Sequence, residues 1–473
     1  MSKEKLVIGD EGIFDARKLG IPRMLLLGFQ HMFAMFGATV LVPMLTGLDV
    51  ATTLLMAGIG TLLFHFITKG SVPAFLGSSF AFLGGYAAVA PVDGKDGMTQ
   101  AQLLPYACLG VACAGLVYLV LAGLIKLVGI KRVMRFFPPV VTGPIIIAIG
   151  LGLAGSAVNN CKTNWPIALV ALLVVIFFNV WGKGMLKIIP IVLGIVVSYI
   201  VAVCCGKVDF TPVTEVINNI AQGKIWGNLI GLPIHKEATV LGIDWSNTSL
   251  IISSIVAIVP IALATMMEHI GDISAISSTV GKNFIEKPGL HRTLMGDGLA
   301  TTLASLFGGP ANTTYGENTG VLALSKVYDP KVVRLAAVFA IIVSFVPIIS
   351  AVIETIPTAI IGGISFVLYG MISAIGVRNV VENKVDFTKS RNLIVAAVIL
   401  VTALGLGSVS FNIFGLTITL SALAVASIAG IVLNAILPGK DFVFGEENDS
   451  NKAVNFAVGQ NTKEGNEAVE LED

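Results

Sequence analysis

Charge is scarce in this chain. Asp, Glu, Lys and Arg make up 12% of its 473 residues, against 55% hydrophobic. A soluble protein of this length needs more charge to cover its surface, so the composition asks for lipid as solvent. Cysteine is also sparse. Cys108, Cys113, Cys161, Cys204 and Cys205 show no CxxC spacing and no Cys/His cluster, so neither a disulfide framework nor a metal site is indicated. Four of them fall in apolar segments and Cys161 in a short loop; they read as buried small hydrophobes. No basic run is interleaved with aromatics, so no nucleic-acid partner is indicated. HExxH, GxSxG and phosphate-binding glycine loops are missing, so nothing points to an enzyme or a cofactor. The N-terminus is charged through Arg23, and the apolar segment after it is too long for the core of a cleavable signal.

What the chain does contain is apolar runs. A spanning helix needs about 20 mostly apolar residues. That criterion predicts segments near 24–46, 50–68, 72–90, 102–127, 138–158, 165–182 and 186–206. After a polar stretch, 207–248, it predicts 249–270, 293–309, 311–326, 331–353, 356–377, 392–410 and 415–437. With 14 spans and a cytoplasmic N-terminus, 25 of the 30 Lys and Arg fall on the cytoplasmic side. The other five are Lys95, Lys162, Lys207, Lys224 and Lys236. Adding or removing one span scrambles this bias, so both termini are expected in the cytoplasm. Within 207–248, Thr211-Pro212 suits a helix start, and Val213, Val216, Ile217 and Ile220 share one face, which predicts an interfacial helix. Trp165 and Trp181 flank the sixth span as interfacial anchors do. The tail after Leu437 is polar, ends in acids and reads as disordered.

Seven spans per half bring the second half in from the opposite face, so homologous halves form an inverted repeat. The third segment of each half supports this. VPAFLGSSFAFLGG (residues 72–85) and GPANTTYGENTG (309–320) both open near Pro-Ala and are rich in small and hydroxyl residues. Both are poor continuous helices. Paired interruptions of this kind mark a transporter's midplane site, since irregular backbone at that depth must be buried or line a cavity.

Two carboxylates sit among these runs. Glu268 follows the apolar run 251–267, and Glu317 lies in the second break. Ionisable groups at bilayer depth are expensive and mark functional sites. Asp272 is four residues from Glu268, on the same helical face. The plain alternative is that the helix ends near Glu268 and both acids meet water. His269 points elsewhere on the helix and reads as a buried, satisfied side chain. Asp297, near the end of its segment, reads as solvated. Around Glu317, Thr313, Thr314, Tyr315, Gly316 and Asn318 make a polar break whose free N–H groups suit carbonyl oxygens. Phe80, in the matching break, offers an N–H and an aromatic face. In the first span Gln30 and His31 are polar, and Ala38 lies two turns beyond His31 on its face. As structure alone, Gln30 and His31 hydrogen-bond between helices. A flat solute alternating N–H and C=O matches carboxylate acceptors and backbone donors, though many polar solutes do so.

At these residues the chain resembles the nucleobase–ascorbate transporters (nucleobase:cation symporter-2 family), within them the bacterial uracil permeases. GFQHMFAMFGATVLVP (28–43), PAFLGSSFAF (73–82), EHIGD (268–272), KPGLHRTLMGDGL (287–299) and NTTYGENTGV (312–321) carry the likeness. The resemblance implies an all-α polytopic fold of two inverted seven-span repeats, with short antiparallel strands in spans 3 and 10. It implies a core domain (24–127 and 249–353), a gate domain (128–206 and 354–437), movement of core against gate, and dimerisation through the gate. It implies uracil as substrate and proton-coupled uptake across the bacterial inner membrane. The positions matching Glu268 and Glu317 bind the ring, those matching Phe80, Gly316 and Tyr315 form the pocket, and Ala38 lies beside it. Asp272, with Glu268, His31 and Asn318, is read as proton coupling and support. Purine carriers of the family have Gln where Glu317 stands; a carboxylate only accepts, which favours uracil. Asp272 is the departure, since uracil carriers of this type have His there. A purine or xanthine symporter is the near alternative, and an anion exchanger of the same architecture a more distant one.

Overall fold

The structure, a computed structural model, describes residues 12–95, 97–413 and 416–439. Lys3, Lys5 and the expected disordered tail from 440 onward lie outside the described residues. The chain enters through a short 3-10 turn, Ala16–Leu19, capped by Asp15. Helix α1 (Ile21–Thr46) carries Pro22 in its first turn and stops at Gly47 in the left-handed conformation. Asp49 caps α2 (Val50–Ile67) by accepting from the Thr52 N–H. The third expected segment is a strand, β1 (Leu76–Ser78), followed by a two-turn helix, α3 (Leu83–Val89). A Thr99/Gln102 capping box opens α4 (Gln100–Val128). After the single turn α5 (Ile130–Met134) come α6 (Pro139–Lys162) and α7 (Trp165–Trp181). The seventh segment is split into α8 (Met185–Ile188) and α9 (Pro190–Cys204), at a proline that has no N–H to donate.

The polar linker holds the expected amphipathic helix, α10 (Thr211–Ala221). Thr211 is its first residue rather than its cap, because Asp209 accepts from both the Thr211 N–H and hydroxyl. Val213, Val216 and Ile220 are half-buried, whereas Ile217 stays exposed. Helix α11 (Thr248–Ile258) passes through a tight turn at Pro260 into α12 (Ala262–Val280). Helix α13 (Leu290–Leu306) leads to strand β2 (Asn312–Thr314) and the ten-residue α14 (Gly316–Ser325). The segment expected over 331–353 as one span is two helices, α15 (Pro330–Ser344) and α16 (Pro347–Glu354), bent by 81°. Pro347 accounts for the bend, since it lacks a donor and drives Val346 into extended backbone. Then follow α17 (Thr358–Glu382), α18 (Ser390–Gly405), the hairpin β3 (Ser408–Ile413) and β4 (Leu416–Ser421), and α19 (Ala422–Ile436).

That hairpin corrects the sequence reading, which runs helix through 392–410 and again from 415. SVSFNI and LTITLS alternate polar and apolar residues, the period of a strand, but a hydropathy window averages the alternation away. Cys161 is a second correction: it is buried in the last turn of α6, not in a loop. Cys204 and Cys205 are exposed rather than buried. Among the described residues, six helices are long and apolar enough to cross a membrane, α11 and α12 counting together as one, and α15 with α16 make a bent seventh. The other expected segments correspond to shorter or broken elements.

The two halves interleave. β1 pairs antiparallel with β2, Leu76 opposite Thr314, Gly77 opposite Thr313 and Ser78 opposite Asn312. α4 packs on α13, α2 on α13 and α15, and α1 on α15, while α6 packs on α17 and α18. In lipid, helices associate through close van der Waals packing, which small residues allow. Gly115 of α4 and Gly298 of α13 meet reciprocally: a Cβ on either would lie within 2.7 Å of the other's carbonyl oxygen.

Candidate functional site

The strand pair is the floor of the site, and a set of hydrogen bonds from neighbouring side chains holds it. Thr61 Oγ1 donates to the Leu76 carbonyl and accepts from the Leu76 N–H. Ser78 Oγ donates to the Thr39 carbonyl at 3.0 Å. Tyr315, the residue after β2, donates its N–H to the Phe75 carbonyl and its hydroxyl to the Ser78 carbonyl at 2.8 Å. Thr39 Oγ1 also reaches the Tyr315 hydroxyl, at 3.3 Å. Tyr315 thus buttresses β1 against α1. The ring lies so close to Gly77 that a Cβ there would come within 2.5 Å of it, so only glycine fits. Ala38 is buried, and Ser78 Oγ lies 3.3 Å from its carbonyl. Phe80, half-buried, packs with the same cluster.

The carboxylates stand above this floor. Glu317 occupies the first turn of α14, whose first N–H groups have no partner within the helix. Glu268 and Asp272 lie on one face of α12, and all three acids are half-buried. α12 does not end at Glu268. It continues three more turns to Val280, closed by left-handed Gly281, so the reading in which both acids face water past a helix end is set aside. α12, which carries Glu268 and Asp272, packs against β2 and against α14, which carries Glu317 in its first turn. Thr314 Oγ1 donates to Asp272 Oδ2 at 2.8 Å, a tie between α12 and the strand floor. Gly271, between the two acids of α12, is exposed and has open space around it, as has Gly316.

His31 is fully buried and bonded to Asn318, one residue past Glu317. Asn318 Nδ2 donates to the His31 carbonyl at 2.9 Å and to His31 Nδ1 at 3.1 Å. Acceptance at Nδ1 puts the imidazole proton on Nε2. This pair ties α14 to α1. Gln30 instead lines a cleft of about 420 Å³ with Arg23 and Leu26 of α1, Ile188 of α8, and Val321 and Leu324 of α14. Its lining stops one turn short of Glu317.

The sequence reading missed one pair. Asp297 is not solvated: it is fully buried, with Oδ2 3.2 Å from Nδ1 of buried His269. The cause is its neighbours in MGDGL. Gly296 lets α13 close on Phe64 and Gly298 lets it close on Tyr118, which excludes water from Asp297. An acid flanked by glycines within a helix was the available signal. Among the described residues no cluster of His, Cys, Asp and Glu could hold a metal ion.

A fold of two interleaved halves, with paired breaks and acids above a strand crossing, defines a membrane permease site. The sequence profile of the Permease family matches residues 22–411, and the chain belongs to that family, the nucleobase–ascorbate transporters. It is 43% identical to the uracil permease of Bacillus caldolyticus over 428 residues, 88% of this chain and 92% of that one. It is 40% identical to the uracil permease of Bacillus subtilis, over 93% of this chain and 97% of that one. The uracil permease of Escherichia coli K12 is 37% identical, over 87% and 90%. Among solved structures, the transmembrane domain of the cyanobacterial bicarbonate transporter BicA aligns with a TM-score of 0.56 at 17% identity, covering 88% of this chain and 98% of that one. SLC26A9 aligns at 0.59 and 12%, covering 89% and 66%. At such identities these two show the fold alone.

Proposed function

We propose that this chain carries uracil across the bacterial inner membrane by proton symport. The observation that carries the reading is the packing of α12, which bears Glu268 and Asp272, on α14, whose first turn bears Glu317, and on the strand β2. Uracil presents ring N–H donors and carbonyl acceptors. Carboxylates only accept, so they suit the N–H groups, while the free N–H groups opening α14 suit a carbonyl. Phe80 supplies an aromatic face and Gly316 an uncrowded wall; Tyr315 and Ala38 hold the floor. The uracil permeases similar over nearly the whole chain support the substrate.

Coupling is assigned to Asp272 and Glu268, with His31 and Asn318 in support. The core (24–127 and 249–353) moves against the gate (128–206 and 354–437) in an elevator-like step. The gate also joins two copies, and both termini face the cytoplasm. Asp272, where uracil carriers of this type carry His, favours a second reading: a purine or xanthine symporter. Uptake of radiolabelled uracil into proteoliposomes, with and without an inward proton gradient, tests the proposal. Accumulation that needs the gradient and resists excess xanthine supports it; displacement by xanthine supports the second reading.

A further inference from the structure

The segment before α1 is bound to the far ends of both acid-bearing helices. Ile13 forms a parallel bridge with Val327: its N–H donates to the Lys326 carbonyl, and its carbonyl accepts from the Tyr328 N–H, each at 2.8 Å. Lys326 is the left-handed residue that ends α14. The Ala16 N–H donates to Asp329 Oδ2 at 2.9 Å, and Asp329 also caps α15 by accepting from the Lys331 N–H. Ile13, Ala16, Val327 and Val332 form a small buried cluster of their own. Phe14 packs on Tyr328, its ring 5.5 Å away, and carries Lys282 over its face at 4.1 Å. Lys282 follows Gly281, the cap of α12.

The two helices differ in how they are held. α12 is long and packed along its length. α14 is ten residues, about 15 Å. Its first turn carries Glu317 and is fixed by the strand pair and by the Asn318–His31 bonds. Its far end is fixed by the pairing with Ile13. Releasing that end frees a short rigid lever whose other end holds a site carboxylate, and binding geometry is sensitive to shifts of about an ångström.

We propose that residues 13–19 are a positioning strap: by clamping the end of α14 to the end of α12, they set the placement of Glu317 and so the affinity for the nucleobase. The affinity arm of the test rests on the reading of the chain as a uracil carrier; the second arm does not. Ile13→Pro in the full chain removes the donated N–H while keeping an apolar side chain. It should raise the uracil Kd about tenfold, or about 1.4 kcal/mol. Amide exchange over residues 316–326 should speed up by a similar factor, because local opening of α14 becomes easier. The double variant Ile13→Cys/Val327→Cys tests the opposite change, because it keeps the backbone bonds and adds a covalent one. Paired strands lie about 4.8 Å apart, within the ~4.4–6.8 Å span of a disulfide. Because cysteine keeps both backbone bonds, the reduced form should bind and exchange nearly as wild type does, and the oxidised form should keep that affinity while exchanging more slowly over 316–326. If Ile13→Pro exchanges and binds as wild type does, the strap has no positioning role. If the wild-type chain binds no uracil, the functional reading falls, and the exchange arm still decides the strap.

Discussion

At the scale of residues, the proposed site separates groups assigned to the solute from groups that hold the structure. Glu268 and Glu317 are half-buried; among the described residues no side chain of another residue is hydrogen-bonded to either, and Glu317 bonds only its own backbone N–H, which leaves accepting oxygens for a ligand. Glu268→Gln replaces one accepting oxygen with a donor facing a ring N–H. A charge-assisted hydrogen bond is worth about 1.5–3 kcal/mol, so uracil affinity should fall at least tenfold and uptake should cease. Isothermal titration of the purified variant checks this, and near-normal affinity would sink the assignment. Glu317→Gln should weaken uracil and admit purines; competition by xanthine reads that directly. Asp272 is different, because it is already bonded to Thr314. Asp272→Asn keeps an accepting oxygen for Thr314, so the floor stays in place while the titratable group is lost. Uracil binding should largely survive, and accumulation against a gradient should not. Accumulation with unchanged pH dependence would mean that Asp272 serves only as an anchor.

At the scale of elements, glycines give the sharpest contrast. Gly77→Ala pushes a methyl into the Tyr315 ring, and overpacking of this kind costs about 1–3 kcal/mol. It should lower the melting temperature in detergent and weaken uracil together. Gly271→Ala meets only open space, and alanine favours a helix interior by about 1 kcal/mol. It should therefore keep or raise the melting temperature while narrowing the gap beside Glu268. If both variants melt alike, the reading of β1 as a tightly buttressed strand is wrong. The breaks themselves were legible in the sequence, because Pro-Ala and runs of small hydroxyl residues cannot make a continuous apolar helix. So were the acids, which stand out against lipid. The contacts that organise them were not: the Thr314–Asp272 and Asn318–His31 bonds and the close approach of His269 to Asp297 each join different elements, and no local pattern announces a partner. The β3–β4 hairpin and the α15–α16 bend were missed for a simpler reason: a hydropathy window of about 20 residues sees neither alternation nor one proline.

At the scale of the whole molecule, neither half holds a site by itself. β1 belongs to the first half, β2 to the second, and the bond between Ser78 and Tyr315 spans 237 positions of sequence. That separation has a consequence for how the protein is made. While the ribosome is still producing the second half, β1 is already at membrane depth with its outward-facing amides and carbonyls lacking their strand partner, a costly state in lipid. Contacts this distant in sequence are also slow to form. The first seven segments are therefore an unfinished product, held open until residue 314 is inserted. Expressed alone, a fragment ending in the 222–230 linker should be cleared by membrane proteolysis. Co-expression of the remaining half should rescue it, measured as its half-life in a pulse-chase. A first half that persists by itself would show that β1 finds other partners while it waits.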